Sequence, residues 1–371
     1  MSLLDRFLDG IKILDLSHYL PGPIASLMLS DMGAQVVKII PPAGDGLRMV
    51  GPRDTEGRPI FYETINEGKY ELQLDLKQEA DKDVLRELAT RGDVLIEGFR
   101  PGTLTRLGVS PEALRKANPR LIVCSISGYG ASGPLAAAAA HDANLLATAG
   151  ILARNEDCMF DPPVVDCAAA LFAALAVAAA LHHREKNGGI GCTIDIGLAD
   201  VMMPLQACHV AAFARTGWSP APRSYYINGG LACYNQYRTL DDQRVILGAL
   251  EEKFWTSFCR GAQHPEWIAR HAESQPQELL IAEVSEFFGA MTIKACEDRF
   301  RGIDCCLTPV VDMREALNQP QLRHRDLVRA QGETMQSLFP AHIDGKPPKT
   351  RTELRQVTPD EARRLFSGVW S

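Results

Sequence analysis

The sequence has no excess of positive charge, no Cys-x-x-Cys pair, and no uncharged apolar run of membrane-spanning length. Its formal net charge is −7, which removes the general case for nucleic acid or an anionic membrane as partner and leaves room only for a local basic pocket. The opening MSLLDRFLDGIKILDLS lacks a basic region followed by an uninterrupted apolar one, so it is read as carrying no signal peptide. The most apolar run, Val164 to Leu181, is interrupted by Asp166 and rich in Ala, which predicts a buried helix and no membrane span. The ten cysteines are scattered, and Cys124, Cys167 and Cys208 sit in apolar runs; they are expected to be reduced thiols of a cytoplasmic protein. No His, Cys and carboxylate spacing suggests a metal.

What is present is alternation. IKILDLS reads as a buried strand, PGPIASLMLSDMGA as a helix closed at Gly33, and QVVKII as a second strand, which together make a parallel βαβ unit. The pattern continues with strands at Leu72–Leu76, Val94–Phe99 and Leu121–Gly128, an amphipathic helix at Glu79–Thr90, and another opened by Ser110 and Pro111. A strand and one long apolar helix are expected within GIGCTIDIGLADVMMPLQACHVAAF, and a hairpin around Asp241 and Asp242. The expected fold class is α/β: a Rossmann-like, doubly wound large domain plus a smaller α+β domain. At 371 residues two domains are the default. The composition shift near Thr216 places the large domain at 1–215, completed by the C-terminal segment 331–371, with linker and small domain at 216–330, and the chain from Asn318 to the end reads as polar and loop-rich.

Three ionisable residues head apolar segments. Asp166 precedes CAAALFAALAVAAAL, where capping is the plain role and proton or nucleophilic chemistry the functional one. His141 follows five alanines and adjoins Asp142, a carboxylate able to orient an imidazole. Glu251 ends RVILGAL, and Asn228, Gly229 and Gly230 form a mobile-loop candidate near substrate. GYGASG matches G-x-G-x-x-G from Gly128 to Gly133, but it follows about the fifth strand, with no acidic residue about 20 positions on to hold a ribose, so no nicotinamide or flavin cofactor is expected.

Taken in order, GIKILDLSHYLPGPIASLMLSDMGAQVVKI, VLIEGFRPGTLTRLGVSPEALRKANPRLIVCSISGYGASGP, GIGCTIDIGLADV and LTPVVDMREALNQPQLRHRDLV resemble the family III CoA-transferases, with features of the α-methylacyl-CoA racemase branch. The resemblance implies an interlocked homodimer and acyl-CoA as substrate, so that coenzyme A enters as part of the substrate. It implies Lys69 and Arg100 as CoA contacts, with Gly128 and Tyr129 of the signature beside them. Pro41, Glu67 and Tyr70 stand where the family usually carries basic residues. Asp166 matches the family's catalytic aspartate. His141-Asp142 looks like the racemase branch's histidine motif, and Glu251 like the glutamate that supports it, while PPVVDCAAAL is more similar to the transferases. The preferred expectation is 1,1-proton transfer at the α-carbon of an acyl-CoA. CoA transfer between carboxylic acids through an aspartyl-CoA at Asp166 is the alternative, and a non-catalytic or partner-dependent subunit the third.

Overall fold

A computed structural model describes residues 3–155, 159–332 and 334–367. The chain divides into two compact units, one formed by Met1–Ala149, Phe160–Ala207 and Pro320–Ser371, the other by Gly150–Met159 and Cys208–Gln319.

The first unit is built on strands β1 (Lys12–Leu16), β2 (Gln35–Ile40), β3 (Tyr70–Gln73), β4 (Val94–Glu97), β5 (Ile122–Ser127) and β6 (Thr193–Gly197), with a short edge strand at Arg355–Gln356. Their order is edge, β3, β2, β1, β4, β5, β6, and every neighbouring pair is parallel. Such sheets are covered on both faces, which is why β1, β2 and β4 read as nearly continuous apolar runs. The chain winds outward from β1 to β3 and then returns to place β4 on the other side of β1. That reversal is the switch point of a doubly wound sheet, and ligands lie beyond the strands' carboxyl ends there.

Local chemistry sets the joints. The helix Pro21–Asp31 stops before Gly33, whose φ of 104° no branched residue adopts easily and whose added Cβ would stand 2.3 Å from the Asp5 carbonyl oxygen. Ser110 caps Pro111–Ala117, its Oγ accepting from the Ala113 amide at 3.2 Å. The core packs the helices Glu79–Arg91 and Pro359–Ser367 on the sheet through Leu85, Leu88, Leu95 and Phe366. The helix Val164–Lys186 is long and apolar enough to cross a membrane by length and composition. It packs along Pro21–Asp31 and Leu198–Leu205, and its buried Arg184 pairs with Asp93 at 2.8 Å.

Three expectations shift. The third strand is Tyr70–Gln73, starting two residues before the expected Leu72–Leu76, because pairing of Val37 with Tyr70 fixes its register. The long apolar helix after β6 is two helices, Leu198–Leu205 and Ala207–Thr216, broken at Gln206 just after Pro204, a residue that removes a helical N–H donor. The tail read as loop-rich holds a helix at Pro320–Arg325 and an antiparallel pair, Val328–Gln331 with Thr334–Ser337.

The second unit carries β7 (Tyr234–Arg238), β8 (Arg244–Gly248) and β9 (Leu307–Pro309) as an antiparallel sheet. The expected hairpin turns at Asp242, with φ of 57°. The helices Glu252–Ala262, Glu278–Gly289 and Ile293–Phe300 close its core around Trp255, Phe258 and Phe288. The fold is thus α/β with a smaller α+β unit.

Candidate active site

The helix Val164–Lys186 begins after Pro163, which has no side chain to cap it, so its first amides need acceptors from elsewhere. Asp142 supplies one: its Oδ1 accepts from the Val165 amide at 2.7 Å and from the Asp166 amide at 3.1 Å. Asp142 opens its own helix, Asp142–Thr148, so one carboxylate joins the heads of two helices. The plain capping role weighed for Asp166 therefore falls to Asp142.

Burial, and then the Asp142 charge, push the Asp166 carboxyl up to about 6, while His141 pulls it down. A half-buried carboxyl that gains and loses its proton near neutrality suits acid–base exchange. Cys167 beside it is driven up by burial and by both carboxylates, which keeps it a thiol and a poor nucleophile.

His141 precedes Asp142 and is exposed; its amide donates to Asn144 Oδ1 at 3.0 Å. The structure thus brings together His141, Asp142 and Asp166. Glu251 belongs to the second unit, where it is the exposed residue preceding the helix Glu252–Ala262.

At the switch point, beyond the carboxyl ends of β1 to β4, lies a cavity of about 130 Å³ with Leu16, His18, Pro41, Leu76, Lys77 and Phe99 in its walls. His18 Nδ1 stands 3.6 Å from Asp45 Oδ2, and its ring meets Phe99 edge-on at 5.2 Å. Arg100 follows Phe99, is exposed, and makes no ion pair or side-chain hydrogen bond among the described residues. Sequence reasoning missed His18 and Lys77. Both follow strand ends, and that placement at the carboxyl edge of a parallel sheet is the signal that finds them.

Lys69 lies elsewhere. It is 1% exposed, and its Nζ donates to the Pro23 carbonyl at 2.8 Å and to Asn66 Oδ1 at 2.9 Å, with Asp15 Oδ2 at 3.5 Å. Burial lowers its ammonium to about 7, against the pull of Asp15. Glu67, 3.4 Å from Arg351, and Tyr70 on β3 also serve packing within this unit.

Gly128 and Tyr129 are half-buried in the turn after β5. The Ala131 amide of the same turn donates to the Asp195 carboxylate at 3.1 and 3.0 Å, so the donor a dinucleotide phosphate would need is aimed at an anion already. Asn228 is pinned: its Oδ1 accepts from the Tyr225 amide at 2.9 Å, and its Nδ2 donates to Ala221 O at 2.8 Å and Arg154 O at 3.2 Å. Gly229 takes φ of 96°, and an added Cβ on Gly230 would meet Tyr225 N at 2.4 Å, so this turn accounts for both glycines. Nine cysteines are described and all are free; Cys158 lies outside the described residues. No group of three or more His, Cys, Asp or Glu is placed to hold a metal ion among the described residues.

The model of a family described as CoA-transferase family III matches residues 8–358. The chain is 30% identical over 350 residues to the acetyl-CoA:oxalate CoA-transferase of Acetobacter aceti, covering 91% of this chain and 89% of that protein. It is also 30% identical to the human succinyl-CoA:glutarate CoA-transferase, covering 86% and 75%, and 30% identical to the human alpha-methylacyl-CoA racemase, covering 86% and 81%. A CaiB/BaiF family protein from Brucella suis shares the fold with a TM-score of 0.84 at 24% identity, covering 97% of this chain and 98% of that one. Rv3272 from Mycobacterium tuberculosis does so with a TM-score of 0.79 at 26% identity, covering 96% and 97%.

Proposed function

The chain belongs to CoA-transferase family III and is an enzyme acting on acyl-CoA, and within that family we propose that it moves a proton at the α-carbon, as a racemase does, with Asp166 and His141 as its two bases. One observation carries the choice. Asp166 is released from capping and raised to about 6 with an imidazole beside it. In one direction the Asp166 carboxylate takes the α-proton, the C–H pair passes into the thioester enolate, and the His141 imidazolium returns a proton on the other face. The reverse direction exchanges the roles. A carboxyl held near the working pH crosses between its two forms at small cost. Glu251 is proposed to support His141, and Asn228 to Gly230 to face the acyl group.

For coenzyme A we propose the cavity at the switch point, with Arg100 supplying charge-assisted hydrogen bonds to phosphate. Gly128 and Tyr129 would carry the thioester end toward Asp166. The active form is proposed to be an interlocked homodimer. The helix Ala207–Thr216 buries none of its residues, and Leu175 and Phe213 are 67% and 60% exposed, which leaves apolar surface for a second copy to cover. A cytoplasmic location fits the free cysteines.

CoA transfer between carboxylic acids is the second reading, favoured by relatives that carry that name. There the Asp166 carboxylate would attack the thioester carbonyl and expel CoA thiolate, leaving a mixed anhydride; the thiolate would then attack the Asp166 carbonyl, releasing the first carboxylate and forming the aspartyl-CoA. Acyl-CoAs incubated in deuterated water without a second acid separate the two. Racemase chemistry places deuterium at the α-carbon. An aspartyl-CoA trapped by hydroxylamine at Asp166, with no α-deuterium, establishes transfer instead. Stoichiometric binding with neither outcome leaves a partner-dependent subunit.

A further inference from the structure

We infer that Asp142 is a positioning residue for Asp166: by accepting the two amides at the head of the long helix, it leaves the Asp166 carboxyl uncapped and turned to substrate as a base. This rests on the reading of Asp166 as the reacting carboxyl. An aspartate in the first turn of a helix ordinarily gains from the free amides and the positive end of the dipole, and both make it a weaker base. Here the Val165 and Asp166 amides, at 2.7 and 3.1 Å, belong to Asp142 Oδ1. The positive end is thus neutralised by a neighbour's charge, and that same charge acts on Asp166 as a like charge.

The surroundings leave this relationship undisturbed. From the helix Asp142–Thr148 and its preceding residue, Asp142 and His141 act on Asp166, and from its own helix Cys167 adjoins it. The two other helices packed on it, Pro21–Asp31 and Leu198–Leu205, carry one charged residue each. Asp31 is held by Arg351 at 2.6 Å, and the Asp200 carboxylate lies against Gly130 and Gly197. From β5 and β6, the Asp195 carboxylate is engaged by the Ala131 amide. His141 is the one cationic group among these that acts on Asp166. Proton exchange at the α-carbon is the step that gains, because a group that must both take and return a proton works best when its pKa lies near the working pH.

The test is Asp142→Asn in the full-length protein, since the amide oxygen can still accept both N–H bonds while the charge is gone. Titration of Asp166 by carbon-13 NMR is expected to move toward the ordinary aspartate range, while the thermal midpoint stays close to the parent's. Where α-deuterium exchange is measurable, its acid limb moves the same way. At pH 5 the rate rises from about a tenth of its plateau to about a half for a shift of one unit, and the plateau itself falls. Should that variant fail to fold, Asp142→Ser offers a neutral oxygen acceptor at the same place, with the same shift expected. An Asp166 titration unchanged in a folded, uncharged variant overturns the inference. Absence of α-exchange in the parent, with the titration shifting as expected, overturns the racemase reading and leaves the role of Asp142 standing.

Discussion

Lys69 Nζ donates to the Pro23 carbonyl at 2.8 Å, so a lysine just before β3 ties down the helix that opens after β1. The same ammonium and Lys38 flank Asp15, which is wholly buried in β1. Burial alone would raise the Asp15 carboxyl, yet the two lysines and the hydroxyls of Ser17 and Ser26 hold it well below the usual carboxylate range.

Lys69→Met is therefore expected to act on stability. Removing one partner of a buried ion cluster leaves an uncompensated charge and costs about 3 kcal/mol. Chemical denaturation reads the loss, and acyl-CoA affinity of the folded fraction stays near the parent's. Unchanged stability with weakened binding would mean that Lys69 reaches the ligand.

Arg100 behaves in the opposite way. Exposed and without a protein partner among the described residues, it contributes nothing to folding that Arg100→Ala would remove. Coenzyme A binding is expected to weaken about tenfold, and the salt dependence to become shallower. Calorimetric titration at two ionic strengths, with a melting curve as control, checks both.

Asp166 predicts a pH-dependent stability. Its folded pKa of about 6 lies above the usual aspartate value. Its contribution is thus fully present below the unfolded pKa and is lost as the pH rises through 6. Asp166→Asn should stabilise the protein by about 2 kcal/mol at pH 8 and leave it unchanged below pH 4, measured by denaturant unfolding.

Much of this was legible in the chain. The apolar runs of β1, β2 and β5, the Ser110 cap and the hairpin at Asp242 follow from local chemistry, and with the long motif matches they give the doubly wound sheet. What was not legible depends on distant partners. The edge strand Arg355–Gln356 has only its pairing with Tyr70 and Glu71 to define it. Asp142 caps a helix more than twenty residues on, and Asp195 fills a turn from β6. Local statistics gave Asp166 a capping role because they cannot see a second carboxylate arriving from another helix. Lys69 sits in a stretch that reads as a ligand contact, and only the three-dimensional packing turns it inward.

The most direct measurement follows both enantiomers of a 2-methylacyl-CoA in deuterated water with the parent enzyme, His141→Ala and Asp166→Asn. With one base on each face, the parent racemises and exchanges. Each variant is expected to lose inversion by at least a thousandfold, while His141→Ala still exchanges the α-proton of the single enantiomer that Asp166 faces. Full racemisation by His141→Ala, or CoA transfer to an added acid with no α-deuterium in the parent, contradicts a two-base site at Asp166 and His141.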